Sequence, residues 1–593
     1  MLAEDNSQTG SGKNKSGQEV SLWTEEDRAN ETANTKGKAL QPAENADTVN
    51  GTEQKQEDRA ARQLNAFTVL IMCISVLSGL MFGLDIGTAA TLSNDYFREQ
   101  VGIPVLVSGQ SDSEETTNQI SQFTYVLHLA CLVGAPFAGF ISDRVGRKPV
   151  IVLAAIIFLL GAMWQSLSGL MHPDFAWNSI IIGRACGGLG LGFLLTMAPV
   201  YTAELTPPDW RGKAITLFQL SVTIGIFIMA IYNNFMAEIT WNWRLGIALQ
   251  CIPALIVIIL TLTVLPESPR WLIQVNRHDE AESALRKLAA GSPRSDEAVS
   301  NEMRDIQDEV DLEASAGEGS FLELFQRENL SSLMCGAMIA FSQNVTGVNW
   351  LMSYATTLFN TLDFDPFTYD LALKAVNVAF TLLAIPLIDR LGRKFLTVWG
   401  TTFTIVAFFL IAVVIVGTGV NVGTTNADAT TKGVQIFCVV MIYIFQAAFA
   451  CTLGPLSWVV PPESFSLRLR GVGMAFCVSM NFFTNIVLGD VGYVRMFSAT
   501  NLQVVSFVLV GFNVLITWPT VVFLQPETKE LGLEDLRKVF AYEKGGNEAK
   551  GHGTLRQFVW RNVRQTLQIY TCRKTDIRMG FDRFDHKPAP AVV

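Results

Sequence analysis

The sequence predicts an all-α membrane protein, with twelve transmembrane helices in two pseudo-repeated six-helix bundles. Three observations predict it. The 593 residues are 49% hydrophobic and only 17% charged, where soluble domains carry roughly 25% charge. Apolar runs of about 20 residues, long enough to cross the hydrocarbon core, follow one another as six and then six. Finally, "GFISDRVGRKP" at 139–149 returns as "IPLIDRLGRKF" at 385–395, each a dense knot of charge closing an apolar run.

Residues 1–65 are rich in Glu, Asn, Lys, Ser and Gly, with few large apolar side chains. They cannot bury enough surface to fold and read as a disordered cytoplasmic tail. The polar start also offers no cleavable signal peptide. The N-terminal bundle, 66–265, has spans near 66–90, 122–142, 149–170, 178–203, 214–236 and 243–265. The interval 266–327 contains "HDEAESALRKLAAG" and "DEAVSNEMRDIQDEVDLEA", polar stretches of good helix propensity. It reads as a cytoplasmic linker with short helices, too small for a catalytic core. The C-terminal bundle, 328–525, has spans near 329–359, 370–389, 395–418, 433–460, 471–490 and 503–524, and 526–593 forms a cytoplasmic tail.

Orientation follows from Lys and Arg. Both knots, the linker and "FVWRNVRQTLQIYTCRKTDIR" lie on one side, while loops such as 92–120 are acidic or neutral. The positive-inside rule then places both termini in the cytoplasm. The net charge of −10 comes largely from tails and loops and gives no basis for nucleic-acid binding. The nine cysteines are scattered, mostly in apolar runs, without metal spacing or a disulfide framework.

Two similar six-helix halves are what a rocking transporter requires, with its substrate held between them near mid-membrane. On this reading the knots have a mechanical purpose. Asp143 and Asp389 can pair with arginines across the cytoplasmic mouth, drawn from Arg144, Arg147, Arg390 and Arg393, while Gly146 and Gly392 permit a tight turn. "AELTPPDWRG" and "PESFSLRLRG" each set a glutamate seven residues before an arginine, Glu204 with Arg211 and Glu463 with Arg470. Together these groups are expected to form a breakable cytoplasmic gate. "PESPR" and "PETKE" close the sixth and twelfth spans alike.

An ionisable residue inside an apolar span is costly, so a role is its default reading. Asp85 in "MFGLDIGTAA" is such a residue, and Arg184 in "IIIGRACGG" is its obvious partner. The glycines of "GGLGLG" lie inside a span with no strand before them, so they serve close helix packing rather than phosphate binding. Without a Walker motif, metal spacing or nucleophile triad, no enzyme activity, metal or cofactor is expected.

"DRVGRK", "PVYTAELTPPDWRG", "PESPRWL", "DRLGRK", "GPLSW", "PESF", "RLRG" and "PETK", in this order over about 66–530, resemble the sugar porter family of the major facilitator superfamily, in its fungal style. The resemblance implies that protonation of Asp85 releases Arg184 and favours closure around sugar. Some fungal facilitators of the family also carry an aspartate here, so symport and facilitation both stay open. A sugar site needs amides, which donate and accept, and an aromatic face. The family pattern assigns these to Gln219, Gln343, Asn344, Asn349, Asn377, Trp458 and Asn485. Departures from it are Asn344 for a second glutamine, Ser353 for a tyrosine, Ser457 for a proline, Ala450 for a glutamate and Phe482 for a tryptophan. They allow a polyol, cyclic acid, disaccharide or specialised metabolite as readily as glucose.

The expected function is therefore secondary active transport of a sugar or sugar-like molecule by proton symport. The implied partners are that small molecule, a proton and the lipid bilayer, and the protein is expected to work as a monomer in the plasma membrane. The alternatives are a facilitator or exporter of a non-sugar metabolite and a non-transporting nutrient receptor. The short C-terminal tail argues against the receptor.

Overall fold

The computed structural model describes residues 66–104, 114–170, 175–206, 208–236, 239, 242–289, 296–314, 321–326, 329–362, 364–419, 429–499, 502–528 and 555–571. The N-terminal tail lies outside them. Among the described residues there is no strand, and 11 helices are long and apolar enough to cross a membrane. The remaining crossing is the seventh. The sequence suggests one run over 329–359, but the chain forms two helices, Leu330–Val345 and Val348–Thr361. They break at Gly347, whose φ of +84° is a conformation that disfavours any residue with a Cβ. The tenth crossing also bends, at Thr452 between Ala429–Cys451 and Leu453–Ser464.

Apolar runs form these helices because an unpaired peptide group in hydrocarbon costs several kcal/mol, and the helix satisfies every one internally. The lipid-facing side chains stay exposed: Leu160, Ile259, Leu382 and Leu515 are more than half accessible. Lipid is as apolar as leucine, so helices associate through close packing, for which small residues are suited. A methyl at Gly188 or Gly192 would come within 2.5 and 2.6 Å of the Leu127 and Cys131 carbonyl oxygens of the second span, Glu114–Val145. Gly183 lies as tightly against Gln165 of the third span.

The halves meet along the second span and the eleventh, which begins as Leu467–Thr484. There a Cβ on Gly139 would approach Ala475 Cβ at 3.0 Å and Gly471 O at 3.1 Å. One buried apolar cluster runs across this seam, from Phe82, Leu127 and Phe218 to Trp458, Met474 and Phe482.

The linker forms Pro269–Gln274, His278–Ala289 and Asp296–Ala314, joined by a small core of Trp271, Leu272, Leu285, Val299 and Ile306. Trp271 Nε1 donates to Asp143 O at 3.1 Å, which ties the linker to the first knot. The C-terminal segment holds a further helix, Leu555–Tyr570. Lys394 Nζ donates to its Asn562 O at 2.7 Å, and Tyr570 Oη lies 2.8 Å from Thr402 Oγ1.

Candidate functional site

The polar groups of the halves fall into three layers. At the knot end, each knot turns through a glycine of positive φ, +99° at Gly146 and +89° at Gly392, and a new helix begins at once. The first amides of a helix need acceptors from elsewhere. Glu267 of "PESPR" supplies them, accepting from Arg147 N at 3.0 Å and Lys148 N at 3.1 Å. Glu527 of "PETKE" does the same for Arg393 N at 2.9 Å and Lys394 N at 3.1 Å. The residue after each glutamate continues the parallel: Ser268 Oγ donates to Glu204 at 2.6 Å, and Thr528 Oγ1 donates to Glu463 at 2.9 Å.

Each of those gate glutamates also meets an arginine of its own half. Arg147 Nε lies 3.3 Å from Glu204, and Arg393 Nη2 lies 3.2 Å from Glu463. Asp143, near the end of the second span, sits 3.6 Å from Arg147, the first residue of the next helix. Its carboxylate also faces the other half, since a Cβ on Gly471 would lie 3.0 Å from Asp143 Oδ1. Arg470, next in sequence, is buried. Arg144 stacks on Phe140, and Arg390 is exposed. The side chains of Arg211 and Asp389 lie outside the described residues. Among the described residues, the ion pairs Arg147–Glu204 and Arg393–Glu463 each lie within one half.

Deeper, Arg184 Nη1 donates to Asp85 Oδ1 at 2.8 Å, with both groups buried. The guanidinium lies over the Phe123 ring, 3.9 Å from its centre, and Nε donates to Phe123 O at 3.2 Å. Asp85 Oδ2 has no hydrogen-bond partner, which leaves an oxygen for a proton. Across the seam, His128 Nδ1 lies 2.7 Å from Asp490 Oδ2. Asn485 Nδ2 approaches His128 Nε2 at 3.1 Å, and Phe482 stacks on the ring at 5.7 Å between centres.

The amides assigned to substrate gather largely on the C-terminal half. Asn481 Nδ2 donates to Gln343 Oε1 at 2.6 Å, Asn344 Nδ2 donates to Asn481 O at 2.7 Å, and Asn349 donates to Asn344 Oδ1. From the other half, Gln219 faces Gly454, and Phe218 meets the Trp458 ring edge-on at 5.2 Å. Asn377 lies against Met352 Sδ at 3.9 Å. Near it a small cavity, far too narrow for a sugar in this conformation, touches Gly87, Ile226, Met352, Ser353 and the buried Lys374–Asp370 pair, which is 2.5 Å apart.

The sequence reading did not single out His128, Asp490, Asp370, Lys374 or the capping role of Glu267 and Glu527. The first four carried a usable signal, an ionisable residue inside an apolar run. The caps carried only their repetition.

Two six-helix halves, with ionisable and amide groups buried along the seam between them, define a membrane transporter of the major facilitator fold. A solved structure of the proton:xylose symporter XylE bound to 6-bromo-6-deoxy-D-glucose shares that fold with TM-score 0.68 and 23% identity, over 80% of this chain and 99% of XylE. The family model described as "Sugar (and other) transporter" matches residues 70–540, and the chain belongs to that family. Among its relatives, Sugar transport protein 1 of Arabidopsis thaliana is 32% identical, over 81% of this chain and 90% of its own length. H(+)/hexose cotransporter 2 of Parachlorella kessleri is also 32% identical, over 81% and 87%.

Proposed function

We propose that the protein is a proton-coupled importer of a sugar or sugar-like polyol, working by alternating access between its two halves. The observation that carries this is the buried Asp85–Arg184 pair, 2.8 Å apart, with a carboxylate oxygen open to a proton and an amide-lined seam nearby. A protonated Asp85 no longer holds the arginine, and Arg184 then regroups with its remaining partners as the halves close on substrate. The relatives named for sugar transport and for hexose–proton cotransport support the same reading. It places the knots and both termini in the cytoplasm, a monomer in the plasma membrane, and no catalysis of covalent chemistry.

A second reading rests on Lys374. A buried ammonium beside the cavity suits a substrate that bears a carboxylate, such as a cyclic acid, which would compete with Asp370 for it.

The test is uptake in a transport-deficient host over labelled sugars, polyols and cyclic acids, with and without a protonophore. Sugar uptake that collapses with the protonophore is the expected result. Uptake that survives makes the protein a facilitator, and selective uptake of acids favours the second reading. Uptake of none of the panel would refute the importer.

A further inference from the structure

We propose that His128 and Asp490 form a proton-dependent bolt between the two halves, acting beside the Asp85–Arg184 pair. This deepens the proton-coupled reading and rests on it for its consequence in transport.

The bolt joins different halves: His128 lies in the second span, and Asp490 lies 362 residues later in the eleventh. Asp143 sits about 22 Å further along the helix from His128, at 1.5 Å per residue, so the bolt is remote from the knots. Asp490 is held in the π-helical stretch Asn485–Tyr493, a widened turn that re-aims its side chains. Any rocking that parts these helices must break the 2.7 Å contact.

Charge balance says when it holds. Asp85, Arg184, His128 and Asp490 are all buried, and Asp85 is within electrostatic reach of His128 as Arg184 is of Asp490. Among the described residues, Cys131 of the second span lies within electrostatic reach of Asp85 and Arg184, and Tyr354 of the seventh within reach of Asp490, both uncharged in their protonated forms. With a neutral imidazole the cluster holds two carboxylates and one guanidinium, a net negative charge shut away from water. One proton on the ring removes it, and burying an uncompensated charge is strongly unfavourable. Closure at this level therefore requires one proton in the cluster.

The surroundings accept both ring states. Neutral His128 donates from Nδ1 to Asp490, and Asn485 Nδ2 lies beside the ring, 3.1 Å from Nε2 and 3.3 Å from Nδ1. Asn485 Oδ1 is buried with no hydrogen-bond partner, so turning the amide over lets it accept from Nε2–H of the protonated ring. Proton entry thus strengthens the inter-half bond without stranding a donor.

The test measures the distance between the halves at the end remote from the knots, in lipid nanodiscs and without sugar. Spin labels on unnatural residues at exposed positions 235 and 507 leave the native cysteines unlabelled. In the native chain the distance should contract as pH is lowered and the cluster takes up its proton. Asp490→Asn makes the cluster neutral without a proton, so its distance should stay contracted throughout. His128→Gln removes the ring that takes the proton and should displace the midpoint from the native one, while Asp490→Glu keeps the charge and should retain a midpoint. A flat native profile, or an Asp490→Asn or His128→Gln profile that follows the native one, overturns the proposal. If Asp490→Asn does not fold, His128→Gln and Asp490→Glu decide. Labelled-sugar counterflow in proteoliposomes is read alongside. Its absence with an intact pH response would sink the sugar assignment and leave the bolt standing.

Discussion

Glu267→Ala should loosen the first knot by an amount the structure lets one work out. The carboxylate accepts three backbone N–H bonds, from Arg147 at 3.0 Å, Lys148 at 3.1 Å and Ser268 at 2.9 Å. Hydrogen bonds to a charged group are worth about 1.5–3 kcal/mol each. The side chain is only partly buried, so water can replace much of this, and a loss of about 2–3 kcal/mol is expected. Glu267→Gln keeps one acceptor and should lose about half as much. The repeat makes a matching demand: Glu527 accepts from Arg393 at 2.9 Å, Lys394 at 3.1 Å and Thr528 at 3.0 Å, so Glu527→Ala should cost the same.

Thermal unfolding of the purified protein at neutral pH is the assay. At about 2–4 °C per kcal/mol for a unit of roughly 200 residues, each alanine should lower the midpoint by about 4–12 °C. Midpoints within about 1 °C of native for both alanines would refute the capping argument. The pH dependence has a sign as well. Burial pushes the Glu267 carboxyl up from 4.5, against the backbone N–H bonds that pull it down. The folded chain therefore binds this proton more tightly than the unfolded one. The stability it adds is full below 4.5 and is lost as pH rises through the raised native value. Glu267→Gln should flatten the stability profile across that window.

Three further outcomes are expected. Asp85→Asn should reduce accumulation to equilibrium while some counterflow persists, and accumulation against a gradient would remove Asp85 from coupling. Trp458→Ala deletes the ring that meets Phe218 at 5.2 Å. Loss of a buried aromatic contact should raise the KM for uptake about tenfold, and an unchanged KM would take Trp458 out of the site. Gly392→Ala puts a Cβ 2.5 Å from Glu527 Oε2 at a φ of +89°. At about 1–2 kcal/mol for the backbone alone, it should lower the unfolding midpoint as Gly146→Ala does, and a neutral effect in either would contradict the tight turn.

Hydropathy is a property of consecutive residues, so the sequence by itself determined the series of crossings, the repeat of the knots and the presence of charge inside the bilayer. Asp85 and Arg184 were legible as partners because few other charges share that depth. Other pairings were not legible, because they depend on which helix faces meet. Glu204 stands seven residues before Arg211, and its contact with Arg147, 57 positions back, has no trace in that spacing. Glu267 reads as the end of a span, but folding carries it to the amides that open another helix. His128 and Asp490 each stand alone in an apolar run, and only the packing of the second span on the eleventh brings them to 2.7 Å. Burial forces such groups to find partners, but the partner is chosen by helix rotation and tilt, which no local stretch of chain encodes.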